Sequence, residues 1–115
     1  MSISHKGYET KCLTFETGET ITAGELVTVN SLGQAVKTSN GGNFVGVCIA
    51  VRNGYASVQV DGYVELPYSG SAPSVGLATL VSDSNANIKA GGENDVVYYK
   101  VLKRDTTNKI VGFIL

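Results

Sequence analysis

Apolar and polar positions alternate most sharply between Phe44 and Leu66, where two apolar runs flank the dipeptide Asn53-Gly54. Asn-Gly readily takes the two positive φ angles of a type I′ turn, so the pattern predicts a hairpin with a two-residue loop. That loop sets Val51 opposite Ala56, Ile49 opposite Val58 and Val47 opposite Val60, and it faces Cys48, Ala50 and Arg52 with Gln59, Ser57 and Tyr55. One face is then uniformly apolar and the other mixed. Asp61-Gly62 predicts a second corner, followed by a strand from Tyr63 to Tyr68. A two-residue loop there would put Glu65 against Val58. A three-residue or bulged corner instead matches Val64 with Val60 and Leu66 with Val58, giving an irregular meander. Pro67 has no N–H to donate, so this strand is expected to end there or to lie on a sheet edge.

The segment Ser69 to Val75 is rich in small residues and reads as a loop or as a crossing between sheets. Two further alternating strands, Val96 to Lys103 and Ile110 to Leu115, flank a polar turn over Arg104 to Lys109. Residues 1–9 carry no pattern and are expected to form a flexible arm before a single β domain over 10–115. A weak internal echo also runs through the chain. Gly24 to Thr38 aligns without gaps on Gly76 to Ala90, each copy reading as strand, turn and short strand, and each followed by a Val-Gly pair, Val45-Gly46 or Val111-Gly112. Two similar hairpins in one barrel or sandwich would explain it, as would the recurring grammar of β-hairpins alone.

A chain of 115 residues holds one ordinary core, and 43% hydrophobic with 17% charged residues describes a globular protein. An excess of Gly, Val and Thr over strong helix formers favours short strands and tight turns. The expected fold is therefore all-β, a small single-domain β-barrel, β-tulip or sandwich built from hairpins with little helix. A net charge of −1 creates no field that would draw the chain to nucleic acid or an anionic membrane, so neither is an expected partner. No apolar run approaches the roughly 20 residues of a spanning helix. The start lacks the apolar stretch of a secretory signal, and with two cysteines the chain reads as made and kept in a reducing cytosol. Cys12 and Cys48 are expected to be small buried or half-buried apolar residues rather than a disulfide.

Reactive chemistry is sparse. The only histidine, His5, falls in the presumed arm, so a triad or a histidine-based acid–base site is not expected. His5, Cys12 and Cys48 do not have zinc-ligand spacing. Asp83-Ser-Asn-Ala-Asn87 opens like a calcium loop but has Ile88 at the sixth position and Asn94 at the twelfth, which makes it a polar turn. Gly41-Gly42 is followed by neither a lysine nor a helix start, so it is no phosphate cradle. The carboxylate pairs Glu16 with Glu19 and Asp61 with Glu65 sit in turn-rich, solvated stretches. The expectation is no enzyme, no metal and no cofactor. Tyr55, Tyr63, Tyr68 and Tyr98 fall at strand ends or on mixed faces and are the candidate interface aromatics, against a reading as ordinary half-buried sheet aromatics.

The series Thr20 to Val29 (Thr-x-x-x-Gly-x-x-Val-x-Val), Gly33-Gln-Ala-Val-Lys37, Asn43-Phe-Val-Gly-Val47 and Gly62-Tyr-Val-Glu65 resembles the phage capsid decoration, or cement, proteins that stabilise heads. The resemblance spans roughly residues 12–90 and rests on glycine and valine patterns. The stretch from Val96 to Lys109 departs from it. The resemblance implies a barrel or tulip subunit, assembled with itself as a homotrimer on the outer surface of an icosahedral virion, bridging copies of the major capsid protein after synthesis in the host cytoplasm. The arm, Ser2, Ile3, Ser4, His5, Lys6, Gly7, Tyr8 and Glu9, is then the candidate capsid contact, able to add a strand to an exposed edge. The alternative is a soluble, carbohydrate-type ligand-binding β-module that uses exposed tyrosines.

Overall fold

The computed structural model describes residues 11–92 and 94–115. The arm contacts expected at Ser2 to Glu9 lie outside the described residues. Those described form ten strands and no helix: β1 (Lys11–Glu16), β2 (Leu26–Val29), β3 (Ala35–Lys37), β4 (Gly46–Arg52), β5 (Tyr55–Asp61), β6 (Tyr63–Ser69), β7 (Gly76–Ser82), β8 (Ile88–Ala90), β9 (Tyr98–Asp105) and β10 (Ile110–Ile114). The fold is all-β, as the composition predicts, with a closed five-stranded barrel beside a second five-stranded sheet.

The two units share one topology. The first sheet runs β1-β5-β4-β2-β3, and the barrel, read from β6, runs β6-β10-β9-β7-β8. Each strand of the second half therefore sits where the strand five places earlier sits in the first. The difference is closure. In the second half β8 pairs in parallel with β6, Tyr68 with Ile88 and Ser69 with Lys89. Among the described residues of the first half a single parallel bridge joins Thr17 to Ala35, supported by the Gly18 N–H donating to the Ala35 carbonyl at 2.9 Å.

The Asn53-Gly54 hairpin forms as expected, with φ of 53° and 81° at its two loop residues and Arg52 opposite Tyr55. Val51 pairs with Ala56 and Ala50 with Ser57, but Cys48 then pairs with Val58 and Val47 with Gln59. The predicted pairs Ile49 with Val58, Val47 with Val60 and Cys48 with Gln59 are thus corrected by a bulge at Ile49. One inserted residue flips every later side chain to the other face. Cys48 now points into the core of the first half, while Val47 faces the second half. Both faces of this part of β4 are buried, so side-chain alternation could not fix the register. The β9–β10 hairpin has the same bulge: Lys103 pairs with Gly112 and Val101 with Phe113, leaving Leu102 as the extra residue.

The meander is also corrected, because β6 does not pair with β5. Both edges of β5 are already taken, by β4 and by β1, and no strand at Lys11–Glu16 was anticipated from the sequence. Gly62, at φ 98°, redirects the chain into the barrel. The Gln59 side-chain amide holds this corner by donating to the carbonyls of Asp61 at 3.0 Å and Tyr63 at 3.3 Å. Pro67 sits opposite Ile110 on β6, in the stretch that β8 does not reach, so its missing N–H faces an unpaired edge.

The echo extends through the whole chain, shifted by one residue from its gapless alignment. Val29 with Ala35 closes the first hairpin and Ser82 with Ile88 the second, each across a five-residue loop, Asn30–Gln34 or Asp83–Asn87. The two Val-Gly pairs are not counterparts, since Gly46 opens β4 and Gly112 lies in the middle of β10. Gly46 is fixed by packing of its own: a Cβ there would overlap the Gln59 carbonyl oxygen.

The halves are docked rather than merely adjacent. Leu26, Phe44 and Val47 of the first half are buried in one cluster with Leu80, Val101 and Phe113 of the second. Phe44 stacks on Tyr99 at 5.1 Å between ring centroids and meets Phe113 edge-on at 6.1 Å.

Candidate functional site

The polar side chains that sequence singles out are absorbed by turns. Asn30 Oδ1 accepts from the N–H groups of Leu32 and Gln34, both at 2.9 Å, and Asp83 Oδ1 does the same for Asn85 at 2.7 Å and Asn87 at 3.0 Å. The residue three positions on, Gly33 or Ala86, takes a positive φ of 77° or 60° in each loop. Asp83 Oδ2 also accepts from the Ser69 hydroxyl at 2.7 Å. Partial burial raises the Asp83 pKa, but the N–H groups of Asn87 and Asn85, the Ser69 hydroxyl and the Lys89 charge together hold it below its ordinary value. The segment that opens like a calcium loop is therefore a self-capped turn. Asp105 caps the β9–β10 loop likewise, through the N–H groups of Thr107 and Asn108 and the Asn108 side chain, and these bonds lower its pKa.

The carboxylate pairs are separated into structural roles. Glu16 accepts from the Gln34 side chain at 3.1 Å, and Glu19 from the Lys37 N–H at 3.0 Å. Asp61 accepts from the Gly62 N–H at 2.8 Å. Glu65 accepts from the Tyr63 hydroxyl at 2.9 Å and from Lys103 Nζ at 3.3 Å. Burial, together with the hydrogen bond and charge of Glu65, pushes the Tyr63 hydroxyl up to about 12. Among the described residues no three His, Cys, Asp or Glu side chains gather where a metal could bind, and no helix is long and apolar enough to cross a membrane. Both cysteines are free thiols. Cys48 is buried, and desolvation, then the Glu25 charge, raises its pKa. Cys12 is exposed, contrary to the expected half-burial, because it lies on the edge strand β1.

The candidate aromatics separate clearly. Tyr68 is buried in the larger core and cannot serve as a surface anchor, and Tyr63 is half-buried against Gly112. Tyr55 and Tyr98 are exposed. Tyr55 borders a shallow open groove with Thr14, Ala50, Arg52, Asn53 and Ser57 on the outer face of the first sheet. Tyr98 belongs to a more apolar surface. On the outer face of the barrel it pairs with Thr79, while Leu77 pairs with Lys100, and Val75 and Val96 flank them. Leu77 is 70% exposed and Tyr98 63% exposed. Sequence reasoning placed neither Leu77 nor Val75 in a site, because Leu77 pairs with Lys100 of a distant strand and Val75 lies in the loop that leads into β7. No protein-family profile, curated protein or solved structure matches this chain.

Proposed function

We propose that the chain is a structural protein of a virus particle, a decoration protein that binds the outer surface of an icosahedral phage capsid, assembles there as a trimer and stabilises the shell. The observation that carries this reading is the contrast between the two kinds of surface side chain. The carboxylates on which hydrolytic chemistry would depend are tied into turns and strand ends, while Leu77 and Tyr98 are exposed on the β7–β9 sheet face, with the exposed Val75 and Val96 in the loops that lead into it. Such a face fits adhesion to protein, and symmetric repetition on a lattice multiplies weak contacts. The glycine and valine series from Thr20 to Glu65 supports the same class. In this reading residues Ser2 to Glu9 add a strand to the capsid surface. The test is to mix purified protein with expanded shells of the cognate phage. Co-sedimentation and a higher shell melting temperature are expected, both weakened by deleting residues 2–9, and absence of binding removes the proposal.

The groove beside Tyr55 favours a second reading, a carbohydrate-type ligand-binding module, since it places an exposed aromatic ring next to Arg52 and Asn53. A glycan array decides it: binding abolished by Tyr55→Ala supports the module, and no hit on the array removes it.

A further inference from the structure

We propose that Asn53 is a site of spontaneous backbone modification, that it converts to isoaspartate, and that the conversion releases the seam closing the first half. The inference depends on neither reading of the function.

The chain holds two Asn-Gly steps, Asn40-Gly41 and Asn53-Gly54, all four residues exposed. In such a step the glycine nitrogen can attack the side-chain carbonyl carbon of asparagine, because glycine carries no side chain to block the approach. The N–Cγ bond forms, water carries the glycine N–H proton to the side-chain NH2, and that group leaves as ammonia. A cyclic imide results. Water then opens the ring, at the Cγ carbonyl to give aspartate or at the main-chain carbonyl to give isoaspartate, whose main chain runs through Cβ. The net change is water in and ammonia out, with no oxidant or reductant.

Asn40 is held against this reaction. Its turn is of type II, from the Gly41 φ of 77° and the Gly42 N–H donating to the Ser39 carbonyl at 2.9 Å. The attacking nitrogen is occupied, since the Gly41 N–H donates to the Ser82 carbonyl at 2.7 Å, and Lys89 Nζ holds Asn40 Oδ1 at 2.9 Å. Flipping the peptide between Asn40 and Gly41 would break the bond to Ser82 and bring ψ of Asn40 only to the type I value of about −30°.

Asn53 is free to react. Among the described residues its side chain has no hydrogen-bond partner and the Gly54 N–H has no acceptor. Its φ of 53° and the Gly54 φ of 81° are those of a type I′ turn. Ring closure requires the Gly54 nitrogen to eclipse Asn53 Cβ across the Cα–C bond, which on an L-residue means ψ of about −120°, the value at the first loop position of a type II′ turn. Types I′ and II′ are the two turns that two-residue hairpins favour. A flip of the single peptide between Asn53 and Gly54 interconverts them, leaves both neighbouring peptides in place and meets open space around Gly54. The hairpin thus carries Asn53 into the reactive geometry without unfolding.

The same turn holds the seam of the first half. The Gly54 carbonyl accepts from the Thr17 N–H at 2.9 Å and from the Thr17 hydroxyl at 3.1 Å, and Thr17 makes the parallel bridge to Ala35. Isoaspartate adds one main-chain carbon to a loop whose two residues set Arg52 opposite Tyr55, so the Gly54 carbonyl is displaced from Thr17. In the second half the corresponding tie is the Tyr68 N–H donating to the Lys109 carbonyl at 3.0 Å. There Asn108 is followed by lysine rather than glycine, and its side chain is held by Asp105 at 3.0 Å. Ageing therefore loosens the first half and spares the barrel.

The experiment ages the purified full chain at mildly alkaline pH and maps aspartate and isoaspartate by peptide mass spectrometry, beside a sample kept unfolded in urea. In urea the two steps should convert at similar rates. In the folded chain Asn40 should lag Asn53 by about tenfold or more, the effect of one or two backbone hydrogen bonds. Isoaspartyl chains, enriched by anion exchange on their added negative charge, should exchange the Thr17 and Gly18 amides about tenfold faster, with Tyr68 unchanged. Freshly prepared Asn53→Asp adds the charge without the extra carbon and should protect Thr17 as the native chain does. Conversion of Asn53 no faster than that of Asn40 in the folded chain overturns the proposal, as does an isoaspartyl form that keeps Thr17 protected.

Discussion

The two halves of this protein have one topology and two interiors. Val27, Ala35, Cys48, Ala56 and Val58 line the first, and their counterparts Leu80, Ile88, Val101, Val111 and Phe113 line the second, all of them buried. In every pair the second-half residue is the larger. The second half closes fully through β6 and β8, whereas the first is held by one bridge and filled from the side by Ile21, out of the loop before β2. Side-chain volume and closure go together because a closed barrel must have its interior filled to native density. The same chain path can therefore be a barrel or an open sheet, according to what fills it.

The strongest test of that difference is truncation of one interior pair. Phe113→Ala removes a ring that touches both Phe44 and Tyr99, and should cost about 3–5 kcal/mol. Val58→Ala, at the counterpart position, removes two methyl-sized groups and should cost about 2 kcal/mol. Thermal denaturation should show one transition in both variants, since Leu26, Phe44 and Val47 bind the halves into a single cluster. Equal costs, or two separate transitions, would break the comparison.

A smaller effect distinguishes the two five-residue turns. Gly33 has a φ of 77° and open space where a Cβ would go, so Gly33→Ala meets only backbone strain, about 1 kcal/mol. Ala86, at φ 60°, already bears that strain but has its methyl group buried in the larger core. Ala86→Gly should relieve about 1 kcal/mol and lose about 0.8 kcal/mol of burial, leaving stability nearly unchanged. Urea midpoints measured for both variants check this; a large loss in Ala86→Gly would mean that the buried methyl outweighs the strain.

These pairs also show what the sequence could and could not convey. The Asn53-Gly54 hairpin was legible because turn chemistry and register meet at one dipeptide. The bulge at Ile49 was not, since Val47 and Cys48 are both apolar and both buried, toward different cores. The repeat was visible between residues 24 and 38 and between 76 and 90, yet its extension to ten strands was hidden by substitutions such as Ala35 to Ile88 that keep burial and lose identity. The Asp83 turn was read correctly as polar, from its failure to match a calcium loop. Of the four candidate tyrosines, Tyr55 and Tyr98 are exposed; Tyr68 was misplaced because β6 enters a closed barrel rather than ending a meander. The apolar face around Leu77 was not legible, as it depends on β7 pairing with a strand some twenty residues away.

The least effect, and the most local, concerns the one titrating group that distinguishes the turns. Asp83 and Asn30 make the same two backbone bonds, but only Asp83 can be protonated. Because its folded pKa lies below the unfolded value of about 3.9, its contribution is fully present above that pH and is lost as the pH falls through the folded pKa. Acidification from about pH 5 should therefore reduce amide-exchange protection at Asn85 and Asn87 while leaving Leu32 and Gln34 protected until the whole fold opens. Asp83→Asn should abolish this difference with little change at pH 7, since asparagine and aspartate cap nearly equally well. If protection in the two turns falls together in the native protein, the carboxylate is not what holds the second turn. The bonds to Ser69 and the neighbouring strands would then be sufficient.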